Sequence, residues 1–577
     1  MKQTLKYESE QPNSLYDPNG SFQSINRRYD IVYGDVMLNF NYNINRFDIA
    51  ATVGWTGRYE NMNNMRVSTN GGLVTENWFD LNASRYTPSS TLQRMELLIT
   101  GYMGTLSLGW DNYLFLELTG RQERSSTLKD QSFFYPSTNL SFLFTQAFHM
   151  PSWWNYGKLR LSYGIVGNAP ETYTANIVYE QGSDNGFTWN TIPSSWGNAD
   201  IRPEKKYEYE IGLESKFLNN RLGIDVSYYN NRVKDQILST PQPSTSGVKN
   251  VLMNVGEVAN RGWDISISAT PILTRDFRWD LTANYGVYKN KVVKLADGVP
   301  YLEILNSGGS GIKIQAVEGQ PMGDIYAQVP QVNENGEYLV SDKGLYLNQT
   351  ELQKVGNINP AGVGGLFNSF SYKNVFLDFS IDFRIGGDVI NEMNQYATAV
   401  GLTPESLKYR DTEHGGLSYY YPGDNNSSGI PVQVDPSTGA GPNGEIIYHD
   451  GIILPGVVAS TGERNTRIIP AGYYYNTTYN WGTEAEQLTY RHSVFDNSYV
   501  KLRELTIGYQ FPEKMISKLG LGRLSVSVFG RNLFYLYKAL KNYDAESSVG
   551  TSWANQATVG SSTTATRSFG VSLRASF

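Results

Sequence analysis

Apolar and polar residues alternate along most of this chain. Val36, Leu38, Phe40, Tyr42 and Ile44 are interleaved with Met37, Asn39, Asn41 and Asn43. After a tight turn at Asn45-Arg46 the beat resumes with Phe47, Ile49, Ala51, Val53 and Trp55. It returns at Leu114-Leu116-Leu118, Leu159-Leu161-Tyr163-Ile165, Tyr207-Tyr209-Ile211-Leu213 and Leu222-Ile224-Val226-Tyr228. It continues at Trp263-Ile265-Ile267-Ala269, from Phe277 to Val287, from Val375 to Ile385 and from Leu505 to Phe511. A period of two is the signature of a strand with one dry and one wet face. Helical periodicity is nearly absent. The pattern predicts roughly sixteen to eighteen strands, many longer than the ~5–6 residues of an average globular strand.

The predicted connections fall into two classes. Segments 43–46 and 218–221 are tight turns, whereas 168–200, 290–360 and 388–498 are long and rich in Gly, Asn, Ser, Tyr and Pro. Short turns at one end and long loops at the other mark an outer-membrane barrel, and soluble sandwiches rarely segregate their loops so strongly. The wet positions Glu208, Glu210 and Glu214, and Asp378, Ser380, Asp382 and Arg384, then face a hydrated lumen. The dry positions face lipid, where only a closed barrel satisfies the strand backbone. The expected fold class is therefore all-β: an antiparallel transmembrane β-barrel with long extracellular loops and short periplasmic turns. Aromatics near predicted strand ends, such as Tyr33, Tyr59, Trp110, Trp263 and Tyr509, suit interfacial girdles. "GVGG" at 362–365 reads as a tight backbone approach just ahead of a strand.

The last residues, "TRSFGVSLRASF", complete the pattern. Phe569, Val571, Leu573, Ala575 and Phe577 alternate with Ser568, Gly570, Ser572, Arg574 and Ser576. A terminal strand that ends in Phe on its dry face resembles the signal by which outer-membrane proteins reach the barrel-assembly machinery. Phe569, Val571, Leu573 and Phe577 are the expected assembly signal. At the other end, "MKQTLKYESEQPNSLYDPNG" (1–20) contains no apolar core and no cleavage site, so it is no signal peptide. Residues 1–32 read as a leader or partial loop, with the barrel portion over 33–577.

Composition changes this picture little. The chain of 577 residues is 13% aromatic, with 41 Tyr and 11 Trp, and contains no Cys, which removes disulfides and thiolate chemistry. A net charge of −7 argues against a nucleic-acid partner. No stretch reaches the ~18 consecutive apolar residues of a membrane-spanning helix.

Nine segments go beyond a generic barrel. They are "KLRLSYGIVGNAP" (158–170), "GNADIRPEKKYEYEIGLE" (197–214), "NVGEVANRGWDISISATPI" (254–272), "VEGQPMGDIYA" (317–327) and "NPAGVGGLFNSFSYKNVFLDFSIDFRIGGDVIN" (359–391), then "HDGIILPGVVASTGERNT" (449–466), "NSYVKLRELTIGYQFP" (497–512), "FGRNLFYLYKALKNYDAE" (529–546) and "TRSFGVSLRASF" (566–577). In that order they resemble the barrel of SusC/RagA-type TonB-dependent outer-membrane transporters. The resemblance implies a barrel of about 22 strands, integral to the bacterial outer membrane, that imports oligosaccharides or oligopeptides. It implies a SusD-like surface lipoprotein as partner, and TonB acting through a plug domain. Signal peptide, TonB box and plug are not visible in the chain, which reads as the C-terminal barrel portion of a longer protein. Asp544-Ala545-Glu546 stands where the family usually has Asp-Pro-Glu.

Catalysis finds little support. His149, His414, His449 and His492 are far apart in sequence, and no H-x-x-x-H, G-x-S-x-G or phosphate-loop motif occurs. No enzymatic activity, cofactor or metal is expected. The long loops are the place to look for binding: "FTWNTIPSSWGN" (187–198), "LSYYYPGDNN" (417–426) and "AGYYYNTTYNW" (471–481) cluster aromatics with Asn, Ser and Thr. Trp189, Trp196, Tyr419, Tyr420, Tyr473, Tyr474 and Trp481 are the candidates for ligand or partner contact. Packing of the loops on themselves explains the same residues. Two other functions fit the pattern, a passive outer-membrane porin and a secreted all-β glycan-binding adhesin.

Overall fold

The computed structural model describes residues 2–9, 19–129, 132–184, 186–242, 245, 247–307, 311–423, 429–480, 489–548, 550, 552–560 and 565–576. Sixteen strands form one antiparallel sheet in chain order. They are β1 (Lys2–Ser9), β2 (Ser21–Ile44), β3 (Phe47–Leu73), β4 (Ser84–Trp110), β5 (Leu114–Ser125), β6 (Ser132–Phe142), β7 (Trp154–Asn168) and β8 (Glu204–Phe217). The series continues with β9 (Leu222–Lys234), β10 (Glu257–Leu273), β11 (Phe277–Lys294), β12 (Gly362–Tyr372), β13 (Val375–Ile385), β14 (Tyr499–Gln510), β15 (Arg523–Lys538) and β16 (Ser568–Ser576). Each strand pairs with its sequence neighbours, and β1 and β16 are the two edges of an open sheet among the described residues.

Two expectations are corrected here. The stretch 1–32 does not precede the first strand. Lys2–Ser9 pairs with Ser21–Arg28, and β2 runs on to Ile44. The polar composition that hid these residues suits strand ends projecting beyond lipid, where both faces are wet. "GVGG" lies inside β12 rather than ahead of it. Its glycines admit neighbouring rings: a Cβ on Gly362 would lie 2.3 Å from the Tyr285 hydroxyl, and one on Gly364 would lie 2.5 Å from the Phe383 ring.

The connections segregate by end. Those at 45–46, 111–113, 143–153, 218–221, 274–276, 373–374 and 511–522 are short. Those at the other end include 169–203, 235–256, 295–361, 386–498 and 539–567. Asn45, Leu218, Asn219 and Asn220 adopt left-handed backbone (φ 52°, 55°, 57° and 62°), which lets the chain reverse within so few residues.

The apolar side of the sheet is its exposed side. Val36, Leu38 and Phe40 are 71%, 70% and 57% exposed, and Tyr209, Ile211 and Trp263 also face outward. This is the reverse of a water-soluble sheet and is the arrangement lipid requires. The buried apolar clusters lie mainly among the connections at the long-loop end. Ile312, Ile314, Ile325, Ala327, Ile358, Ile390, Tyr490, Val494, Ala554 and Ala557 form one core drawn from 295–361, 386–498 and 539–567. A four-stranded sheet (Tyr301–Ser307, Ile312–Val317, Asp324–Ala327 and Gln353–Asn357) supplies its scaffold.

Candidate functional site

Strand alternation sends one polar residue in two into the lumen, and these residues bind each other across strands. Arg160 on β7 donates to Asp225 on β9 at 2.6 Å, to Glu214 on β8 at 3.5 Å and to Ser227 at 3.3 Å. Asn231 donates to Glu208 at 3.0 Å, and Asn260 donates to Asn231 at 2.9 Å. Ser369 on β12 donates to Asp378 on β13 at 2.6 Å. A cavity of ≈ 690 Å³ opens against this wall, with Arg160, Asp225, Asp264, Asn284, Asp382 and Tyr499 in its lining. The wall carries both signs of charge together with amides and hydroxyls. Such a surface can hydrate or hydrogen-bond a polar solute along its whole length.

Glu546 ties the 539–567 loop to this wall. Its carboxylate accepts from Lys501 at 2.6 Å and from Arg503 at 2.5 and 2.9 Å, and Arg503 also donates to Asp382 at 2.6 Å. The hydrogen bonds from Arg503, then those from Lys501, pull the Glu546 carboxyl down to about 2 against the opposing effect of burial. Lys501 is only 2% exposed, so Glu546 compensates a charge that water does not reach. The Asp-Ala-Glu departure leaves this role intact, since the Glu makes the contacts.

The loop aromatics separate into two groups. Trp189 sits in the hairpin of Glu180–Asp184 and Phe187–Thr191, opposite Gly182, whose missing side chain makes room for the indole. Trp196 pairs through its strand with Val251 and meets Tyr179 edge-on at 5.9 Å. Tyr419 is 1% exposed, donates to Asp450 at 3.1 Å and stacks on Tyr448. Burial pushes its phenol pKa up. Tyr420 faces Val432 across a short ladder and packs near Gly441. Tyr473 and Tyr474 lie on the helix Ala471–Tyr479 and pack against Leu345, Ile452, Leu454 and Ile469. Trp481 lies outside the described residues. Tyr419, Tyr473 and Tyr474 thus hold the 386–498 loop together, away from the hairpin that carries Trp189.

One exposed apolar surface is in the 169–203 loop, and Leu402 and Ile430 in the 386–498 loop are exposed as well. Phe187 is 78% exposed, and Tyr173, Ile177, Val178, Tyr179, Trp189 and Ile192 are each about half exposed or more. Ile177-Val178-Tyr179 escaped the sequence reading, because an apolar run in a loop has no periodicity to announce it. Phe569, Val571 and Leu573 all face outward on β16, at 73%, 71% and 67% exposure. Phe577 lies outside the described residues. Among the described residues no group of His, Cys, Asp and Glu is placed to hold a metal ion.

Residues 2–329 match the family model described as TonB dependent receptor-like, beta-barrel. TonB-dependent receptor P3 of Formosa agariphila is 25% identical over 491 residues, which cover 77% of this chain and 42% of that protein. TonB-dependent receptor SusC of Bacteroides thetaiotaomicron is 30% identical over 247 residues, covering 39% of this chain and 24% of that protein. The solved structure of the RagAB peptide transporter superposes with a TM-score of 0.68 at 18% identity, over 93% of this chain and 55% of that chain. The chain therefore spans less than half the length of these two curated relatives.

Proposed function

Because the chain belongs to the TonB-dependent receptor β-barrel family, we propose that it forms the wall and extracellular loops of an importer for oligosaccharides or oligopeptides. The family is one of outer-membrane transporters and receptors, and the chain is an integral outer-membrane protein. One observation carries the functional reading: the sheet is apolar outward and lined inward by paired charges and amides, beneath loops that carry their own core. A polar cargo of several units suits that lining. The resemblance to SusC/RagA-type transporters supports a glycan or a peptide as cargo, and the name RagAB peptide transporter supports a peptide.

The partner in this reading is a SusD-like surface lipoprotein. Its contact surface is the exposed Ile177-Val178-Tyr179 and Phe187-Trp189 patch, since aromatic and aliphatic side chains that water leaves uncovered favour a protein interface. TonB acts through that part of the relatives' length which this chain does not span. Deleting the gene in its native host and measuring growth on defined oligosaccharides and oligopeptides tests the reading. Growth lost on one class, and restored by the intact gene, supports it. Growth unchanged on both classes sinks it.

A further inference from the structure

The outward face of β8 to β11 carries a group of cations that the lumen and the loops leave unexplained. Alternation places Tyr207, Tyr209, Ile211 and Leu213 outward on β8, so Lys205 points outward too. On β9 the outward series Ile224, Val226, Tyr228 continues to Arg232 and Lys234. On β10 Trp263 faces outward, and so does Arg261. On β11 Tyr285 and Val287 are followed by Lys289 and Lys291. These cations lie toward the long-loop, extracellular end. Directly beneath them the Tyr228 and Trp263 rings meet at 4.9 Å, a pair suited to the membrane interface. With about 3.3 Å of rise per residue, Arg261 sits roughly 7 Å along the strand beyond Trp263, at headgroup height.

The register sets like charges opposite each other. Lys205 faces Lys234 across β8 and β9, and Arg261 faces Lys289 across β10 and β11. Like charges directly opposite destabilise a ladder unless something neutralises them. Arg232 is neutralised by Glu257 at 3.0 Å. Lys205, Lys234, Arg261, Lys289 and Lys291 have no carboxylate within ion-pair distance among the described residues: Lys234 overlies the Tyr207 ring, and Glu257, opposite it on β10, is bound by Arg232. Elsewhere the outward face supplies its own counter-ions: Arg28 on β2 binds Asp30 at 2.6 Å.

We propose that this patch binds the phosphorylated headgroup of a lipid in the outer leaflet. The position decides the source. The cations stand on the lipid-facing side of the wall, just above interfacial aromatics, where a lipid phosphate resides and a loop-docking protein does not. Two opposed pairs, Lys205–Lys234 and Arg261–Lys289, give four donors that one or two phosphates can bridge, which turns cross-strand repulsion into a cross-strand clasp.

The test uses the protein purified from outer membranes and placed in phosphatidylcholine nanodiscs doped with lipid A, either phosphorylated or enzymatically dephosphorylated. Native mass spectrometry reads retained lipid, and heat-modifiability on gels reads folding. Phosphorylated lipid A should be retained over the dephosphorylated form. Replacing Lys205→Gln with Lys234→Gln, or Arg261→Gln with Lys289→Gln, should weaken retention by about fivefold per cation removed. Lys206→Gln, one residue along but facing the lumen, should change nothing. Equal retention of the two lipid forms overturns the proposal without any variant. Equal weakening by Lys206→Gln overturns it as well. Lipid retention unchanged in the paired variants, with loss of a co-purifying acidic protein instead, assigns the patch to a protein partner and overturns the lipid reading.

Discussion

Ser380 and Ile381 are adjacent on β13, and the sheet gives them opposite surroundings. Ile381 faces lipid between Leu377 and Phe383, so Ile381→Arg places a charge in hydrocarbon and should destabilise the folded barrel by roughly 2–4 kcal/mol near the midplane. Ser380 faces the lumen opposite Glu504, so Ser380→Arg gains a cross-strand counter-ion and should cost little. Denaturant titration of the heat-modifiable band compares the two. Equal losses would mean that both faces are packed. Asp382 shares the lumen face, yet it accepts from Arg503, so reversing its charge should be as damaging as its neighbour is tolerant. Alternation in the sequence assigns the face, but only the register reveals the partner. A second residue reports on pH. His492 stacks on Tyr479 at 4.4 Å, and burial, aided by Arg491, lowers its pKa to about 4. The unfolded loop therefore binds the proton more readily than the folded one. Stability from this group is full above its unfolded pKa of about 6.5 and is lost as pH falls toward 4. His492 keeps some solvent contact, so the loss should be about 2 kcal/mol. Protease susceptibility of the 386–498 loop should rise over that window, and His492→Phe should flatten the profile. The ring stack was illegible in the sequence because Tyr479 and His492 belong to a loop without periodicity.

At the scale of elements, strands were the legible part, because a sheet with lipid on one side and water on the other imposes period two on its sequence. Their lengths were less legible. β3 runs over 27 residues and β4 over 27, well past the part that touches lipid. Beyond the headgroups both faces are wet, so Met62 to Thr69 carry no dry beat for the eye to follow. The same loss of contrast hid β1. The terminal strand was legible throughout its described length, and its role as assembly signal is a proposal that its outward Phe569, Val571 and Leu573 support. Leu573→Asp should lower the folded, heat-modifiable fraction in the outer membrane, whereas Ser572→Asp, on the other face, should not. Indistinguishable fractions would remove the strand from that role. Between β14 and the 539–567 loop, Glu546→Gln leaves Lys501 and Arg503 without their shared carboxylate. Arg503 keeps Asp382, whereas the buried Lys501 is left without a carboxylate, which should cost about 3 kcal/mol, so hydrogen exchange in 539–548 should accelerate.

At the scale of the whole molecule two hydrophobic systems work side by side. The barrel wall turns its apolar face outward and draws its stability from lipid contact and a backbone ladder that runs unbroken from β1 to β16. The loops turn theirs inward, around Ile312, Ile314 and Ile325, all fully buried. The first system was readable because its pattern is local. The second was not, because its members come from three loops, from Ile312 to Ala557, and meet only after the strands have set the loop ends. Among the described residues β1 and β16 stay at the two edges; the alternation leaves both a smaller closed barrel and an open, curved sheet possible, since pairing of the first and last strands is a property of distance in space. Separate systems should fail separately. Ile314→Ala opens a cavity in the loop core and should cost that core about 2–4 kcal/mol. Limited proteolysis should then cut within 295–361 and 386–498 at lower protease concentration, while the heat-modifiable barrel band keeps its midpoint in denaturant. A barrel midpoint that fell with loop protection would show a single cooperative unit. In that case the wall would depend on the loops above it, and loop contacts with a partner would reach the membrane-spanning strands directly.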